Sequence, residues 1–313
     1  MPAPPALAQF RLVARDIKLS HSVFALPFAV LAACIARPVD SPWPRFAAQL
    51  GLVVVCMVAA RSWAMMVNRL ADAAIDSKNP RTARRVFASG ELNAQRGWFI
   101  AAAFAAAFVA AASLFGLLMG NWWPATLALP VLAWIALYSW TKRFTWLCHI
   151  FLGGALAASP LAAALAVDPA AVGLSPLPGQ PLLATAHHAV WWLAGMVLTW
   201  VAGFDVIYAL QDVEFDRREG LFSMPASLGA SAAMWVSRSL HLAAAAMLWM
   251  ALRGDPRFGP IFMSGVFVAW GLLLMEHLVL LRRGMAGLDM AFFTLNGIVS
   301  CALGLAGCID LLN

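Results

Sequence analysis

Asn68, Asp72 and Asp76 stand four residues apart at the end of a long apolar run, and Lys78, Arg81, Arg84 and Arg85 follow closely. At 3.6 residues per turn, positions four apart share one helix face. The three side chains therefore form a polar stripe, which Pro80 should end, because the residue before a proline avoids the α region. The spacing recurs in "DVIYALQDVEFDRREG", where Asp212 and Asp216 repeat it beside Asp205 and Glu214. Four carboxylates at the C-terminal ends of helices face the negative end of each helix dipole and repel one another. Something cationic must neutralise them. An oxygen-only donor set (Asn68, Asp72, Asp76, Asp212, Asp216) suits Mg²⁺, which takes carboxylates, water and substrate phosphates. Two such ions would balance four aspartates and hold a diphosphate. Lys78, Arg81, Arg84, Arg85, Lys142 and Arg143 would grip its remaining oxygens.

This is the chemistry that an allylic diphosphate needs. Diphosphate leaves when its developing charge is neutralised, which metals and cations supply. The other product is a carbocation that water would quench, so the site must be dry. Aromatic faces steady such a cation; Phe24, Tyr138, Phe204, Tyr208 and Phe293 are candidates, although most of the 19 Phe and 14 Trp must serve packing and interfaces.

The elements that must position these groups are membrane helices. The chain of 313 residues is 63% hydrophobic and only 12% charged, against about 25% charged in soluble domains. Apolar runs near 20 residues recur, each long enough to cross roughly 30 Å of hydrocarbon. They do not alternate, which excludes a β-barrel. The expected fold is an all-α membrane protein, one polytopic domain over residues 1–313, with nine transmembrane helices at about 20–37, 46–67, 97–120, 122–140, 146–167, 189–210, 232–252, 259–281 and 288–311. No cleavable leader is read at the N-terminus.

Of the 21 Lys and Arg, fifteen fall in the segments 1–19, 68–96, 141–145, 211–231 and 282–287, and Arg61 and Arg238 lie near the same end of their spans. Only Arg37, Arg45, Arg253 and Arg257 lie on the other side. The positive-inside rule places the N-terminus and the 68–96 loop in the cytoplasm, in a cell (inner) membrane. The net charge of +6 describes that face and calls for no nucleic acid. The lipid bilayer is the expected surroundings, and no obligate protein partner is evident. Spans 2 and 6 run in the same direction, each ending in acids and a polar loop, so the layout reads as a four-helix unit used twice with span 9 added. The scattered cysteines read as packing residues, and His187 and His188 as an interfacial pair in an external loop at 168–188.

Asn68, Asp72 and Asp76, the later Asp212 and Asp216, and "YSWTK" (Tyr138 to Lys142) resemble the UbiA superfamily of intramembrane aromatic prenyltransferases. The resemblance extends to "HSVFALPFA" at 21–29, "KRFTWLCH" at 142–149, "GLFSMPASLG" at 220–229 and "FFTLNGIVS" at 292–300. It implies nine helices around a central cavity capped by cytoplasmic loops, and Mg²⁺-dependent transfer of a prenyl group from prenyl diphosphate to an aromatic ring. By position, Asn68, Asp72, Asp76, Asp212 and Asp216 would bind Mg²⁺–diphosphate, Lys142 would contact diphosphate, and Tyr138 and Asp205 would line the reacting centre. The text is most similar to the 4-hydroxybenzoate polyprenyltransferase branch of ubiquinone and menaquinone biosynthesis, and within it to a subgroup linked to the futalosine route, whose acceptor would be 1,4-dihydroxy-6-naphthoate. Asn68 is followed by Arg69 where many relatives have Asp, and Arg85 by Val-Phe rather than Pro-Leu. Either acceptor is a phenol carrying a carboxylate, which Arg61 could pair with; snorkelling to the interface is the other reading of Arg61. Other UbiA-type acceptors remain open. An ion-coupled transporter would place its charges near the midplane on broken helices, and a CDP-alcohol phosphotransferase would need Asp-Gly and Ala-Arg pairs that this chain lacks.

Overall fold

A backbone in lipid has no partner but itself, so long apolar runs resolve into helices. The computed structural model describes Leu12, Asp16 and residues 24–175, 187–288 and 290–313. Most of the expected N-terminal segment, the start of the first span and the middle of the 168–188 loop lie outside these residues. Among the described residues every regular element is helical. Nine helices are longer than ten residues: α1 Leu26–Ala36, α2 Trp43–Ala71, α3 Ala94–Met119, α4 Trp123–Thr141, α5 Cys148–Val167, α6 His188–Tyr208, α7 Ala230–Gly254, α8 Pro260–Arg283 and α9 Asn296–Leu312. They fall where the nine spans were expected.

Seven of them, α2–α6, α8 and α9, are long and apolar enough to cross a membrane. The chain is a multi-pass membrane protein. The other two differ for separate reasons. The eleven described residues of α1 would rise only about 16 Å. The 25 residues of α7 are long enough but carry Ser237, Arg238 and His241 within them.

The helices close a ring in chain order, each touching the next and α9 returning to α1. α1 also packs on α5, and the tightest neighbours are α6 with α7 and α5. Glycine permits that closeness: a Cβ on Gly153 of α5 would overlap the Leu198 carbonyl oxygen of α6. Small residues let membrane helices approach in this way. The ring encloses a cavity of about 740 Å³.

Two sequence expectations need correction. The Asn68–Asp72–Asp76 stripe is not on one unbroken helix. α2 ends at Ala71, Asp72 sits at φ −94°, ψ 1°, and a short helix Ala73–Asp76 follows. The chain thus leaves the helix before Pro80, because Asp72 occupies the sparsely populated bridge region. The second cluster breaks likewise: α6 ends at Tyr208, a 3₁₀ turn spans Ala209–Asp212, and Asp212 at φ −107°, ψ 5° starts the helix Val213–Arg218.

Candidate active site

The cavity has a polar mouth and an apolar body. Asn68, Asp72, Asp76, Asn79, Arg81, Arg85, Lys142, Asp212 and Asp216 line one end. Val53, Phe108, Phe115, Leu127, Leu161 and Trp191 are among the residues lining the remainder. Arg61, Tyr138, Asp205 and Tyr208 also contribute to the wall. α2 and α6 bring the two acidic clusters to the same mouth because both run the same way and both end there.

Each of the four aspartates meets one basic side chain. Asp72 takes Arg143 Nη2 on Oδ1 (3.1 Å) and the Asn68 amide on Oδ2 (3.1 Å). Asp76, only 7% exposed, takes Arg85 Nη1 on both oxygens at 2.8 and 2.7 Å. Asp212 receives Arg81 in a fork, Nε on Oδ1 (3.1 Å) and Nη2 on Oδ2 (2.5 Å), with Asn79 adding a bond at 3.1 Å. Asp216, 1% exposed, lies 3.0 Å from Lys142 Nζ. Charge-assisted, forked contacts of this kind are the strong ones.

Titration follows the pairing. Burial pushes the Asp72 carboxyl above its usual value, although the Arg143 hydrogen bond opposes it and the charge of Asp76 adds to it. Burial works to lower Lys142, and the charge of Asp216 outweighs it, so the ammonium titrates above its usual value. Arg81 is likewise driven down by burial and held up by Asp212.

The donor chemistry suits a hard divalent cation. Among the described residues no three His, Cys, Asp or Glu side chains converge into a metal site. Mg²⁺ does not require that, since one or two carboxylates suffice when water and substrate phosphates complete the shell. The buried Asp216 Oδ1 faces the Lys142 ammonium at 3.0 Å, a carboxylate oxygen already stabilised by positive charge and of the hard type that a divalent cation takes.

Some expected residues lie elsewhere. Lys78 is not on the cavity wall; its ammonium bonds Glu219 Oε2 at 2.6 Å and its side chain is 61% exposed. Arg143 is also off the wall and reaches the site only through Asp72 and the Ala71 carbonyl. Arg84 is exposed. Phe293 does not line the cavity, whereas Phe292 does, because the Met290–Leu295 segment is a π-helix that turns its neighbour inward. Phe292 lies 4.2 Å from the Tyr208 ring and 5.2 Å from Phe204, and Phe24 completes the aromatic wall.

Other lining residues lie outside the acidic and basic pattern of the two clusters. Asn79 belongs to a loop and shows its role only by reaching Asp212. His149 lines the cavity, and its Nδ1 lies 2.6 Å from Asp205 Oδ2. Ser139 and Ser159 line it with buried hydroxyls that find no partner among the described residues.

A helical ring around a largely apolar cavity, with carboxylates and guanidiniums at its mouth, is the arrangement of a membrane-embedded site that can take an anionic head and an apolar tail. The chain belongs to the UbiA prenyltransferase family, whose model matches residues 25–298, and it is a prenyltransferase. It is 27% identical to a 4-hydroxybenzoate octaprenyltransferase of Pseudoalteromonas atlantica over 96% of this chain and 97% of that one. It is 30% identical to a 4-hydroxybenzoate solanesyltransferase of Synechocystis sp. over 62% of this chain and 59% of that one. A UbiA homolog from Aeropyrum pernix K1, solved in its apo form, superposes with TM-score 0.77 at 29% identity, over 93% of this chain and 98% of that chain. A UbiA homolog from Archaeoglobus fulgidus, bound to DMAPP and Mg²⁺, shares the fold with TM-score 0.68 at 16% identity, over 96% and 99%.

Proposed function

We propose that this prenyltransferase moves a polyprenyl group from prenyl diphosphate to an aromatic hydroxy-carboxylate ring of the 4-hydroxybenzoate type, in quinone biosynthesis. The observation that carries this reading is the pairing of every cluster aspartate with a basic side chain at the mouth of an apolar cavity. Bases already at hand are suited to exchange their aspartate for a diphosphate oxygen. The names of the relatives support the acceptor class.

Asn68, Asp72, Asp76, Asp212 and Asp216 would hold Mg²⁺, which when bound supplies Lewis-acid neutralisation of the departing diphosphate. Arg81, Arg85 and Lys142 take the phosphate oxygens, and Arg143 steadies Asp72. The apolar body receives the isoprenoid tail and excludes water from the reacting carbon. The Phe24, Phe204, Tyr208 and Phe292 faces offer their negative quadrupoles to the allylic cation. Arg61 pairs with the acceptor carboxylate. The mouth faces the cytoplasm and the body lies in the inner membrane, in keeping with the positive-inside distribution of Lys and Arg.

The test is purified protein with Mg²⁺ and geranyl diphosphate, offered 4-hydroxybenzoate and 1,4-dihydroxy-6-naphthoate in competition. Prenylated 4-hydroxybenzoate, identified by mass, is the expected main product. Prenylated naphthoate alone would move the acceptor to the other ring, and no Mg²⁺-dependent product would sink the reading.

A further inference from the structure

Transfer to a ring carbon leaves a proton to be removed, and the four cluster carboxylates are ill placed to take it, since each is engaged by a cation. Among the described residues Asp205 is the one cavity-lining carboxylate that is not paired with Lys or Arg. It lies seven residues before Asp212 on the same helix-and-turn, about 10 Å deeper along the axis, and three before Tyr208, so both face the cavity. Its partner is His149 of α5, 3% exposed, with Nδ1 2.6 Å from Asp205 Oδ2. The Met224 N–H donates to His149 Nε2 at 3.2 Å. With the Met224 N–H directed at Nε2, the ring's Nδ1 is the nitrogen turned to Asp205, and a proton there is donated to its carboxylate. That backbone donor is itself fixed: the Phe222 N–H bonds the Lys142 carbonyl at 2.7 Å, and Ser223 caps the helix Met224–Leu228.

We propose that Asp205 is the base that removes the ring proton, and that His149 is the positioning residue that holds it. This rests on the functional reading above. As the C–O bond to diphosphate breaks, its electron pair leaves with the diphosphate. A bond forms between the prenyl carbon and the ring carbon beside the phenol oxygen. The proton on that carbon passes to Asp205 Oδ1 while the C–H pair returns to the ring and restores aromaticity. Water takes the proton from Asp205 as product leaves. A ring nitrogen held from behind by a backbone N–H fixes one carboxylate oxygen of Asp205 and leaves the other for the proton, the positioning that a general base needs.

The test compares wild type, Asp205→Asn, His149→Ala and His149→Gln in detergent. The substrates are Mg²⁺, geranyl diphosphate and 4-hydroxybenzoate, with and without deuterium on the two ring carbons beside the hydroxyl. Asp205→Asn should lower kcat by roughly 10²–10⁴-fold, as loss of a general base does. His149→Ala should lower it about 10-fold to 100-fold, as loss of a hydrogen bond to a charged group does. KM for geranyl diphosphate should hold in both. In His149→Ala a primary deuterium isotope effect should emerge or grow, because ring deprotonation becomes slow, and His149→Gln, which keeps a donor, should recover part of the rate. A merely structural role would lower the amount of folded protein without raising the isotope effect. If wild type turns over while His149→Ala shows no larger isotope effect, the assignment falls and the functional reading stands. If wild type prenylates neither 4-hydroxybenzoate nor 1,4-dihydroxy-6-naphthoate, the functional reading falls and the assignment with it.

Discussion

The segments 68–85 and 205–219 are built alike and neutralised differently. In each an aspartate in the bridge region follows a long helix, directly at Asp72 and after a 3₁₀ turn at Asp212, and a short helix then carries a second, deeply buried aspartate. The first segment brings cations of its own. Arg85 holds Asp76, while Asp72 takes Arg143 of the α4–α5 turn, and the loop continues across the mouth, where Arg81 and Asn79 bind Asp212 and Lys78 binds Glu219. The second segment brings none to the site: Arg217 bonds the Ala226 carbonyl, and Arg218 lies beside Glu219 and the Phe215 ring. Among the described residues, Asp212 and Asp216 are balanced by Arg81 and by Lys142 of the α4–α5 turn. The second half of the site is therefore assembled by tertiary contact, and the first-half loop is the strap that does it.

The sharpest way to break the comparison is to remove one metal-type carboxylate from each segment. Asp72→Ala and Asp212→Ala should each lower kcat/KM by at least about 10²–10³-fold, while the protein still inserts and folds. Retained turnover in both, read by release of diphosphate, would remove the metal assignment. Next in size is the strap. Arg81→Ala should raise KM for prenyl diphosphate about 10-fold to 100-fold, on the strength of a charged hydrogen bond. Arg81→Lys should recover little, because a point charge cannot replace the fork on Asp212. If Arg85→Ala raised KM far more than Arg81→Ala, the strap would matter less than the first segment's own pair.

A smaller effect separates the two grips of the α4–α5 turn. Lys142→Met leaves the carboxylate of Asp216, 1% exposed, without its cation, so thermal unfolding in detergent should show a loss on the order of 1–3 kcal/mol. Arg143→Met should cost less, since Asp72 is nearer solvent and keeps its Asn68 bond. Equal losses would show that burial does not set the difference. Smallest is Lys78→Ala, where an exposed ion pair contributes about 0–1 kcal/mol and should fade with salt. A larger loss would make Lys78–Glu219 a structural strut of the strap.

The sequence by itself determined the class of element, the approximate place of all nine helices, the two acidic clusters and the family. Hydrocarbon leaves apolar runs one backbone solution, and the four-residue spacing is local. Tertiary structure decided the pairings. That Arg81 belongs to Asp212 rather than to Asp72 or Asp76, that Lys78 bonds Glu219 outside the cavity, and that His149 meets Asp205 are contacts between residues 56 to 141 positions apart. No local propensity encodes them. The same holds for Phe292 in place of Phe293, since a π-helical turn rotates side chains out of the register that a 3.6-residue period predicts. Periodicity extrapolates along one helix, and it fails where the backbone breaks, which in this chain is where Asp72, Asp212 and Phe292 reach the site.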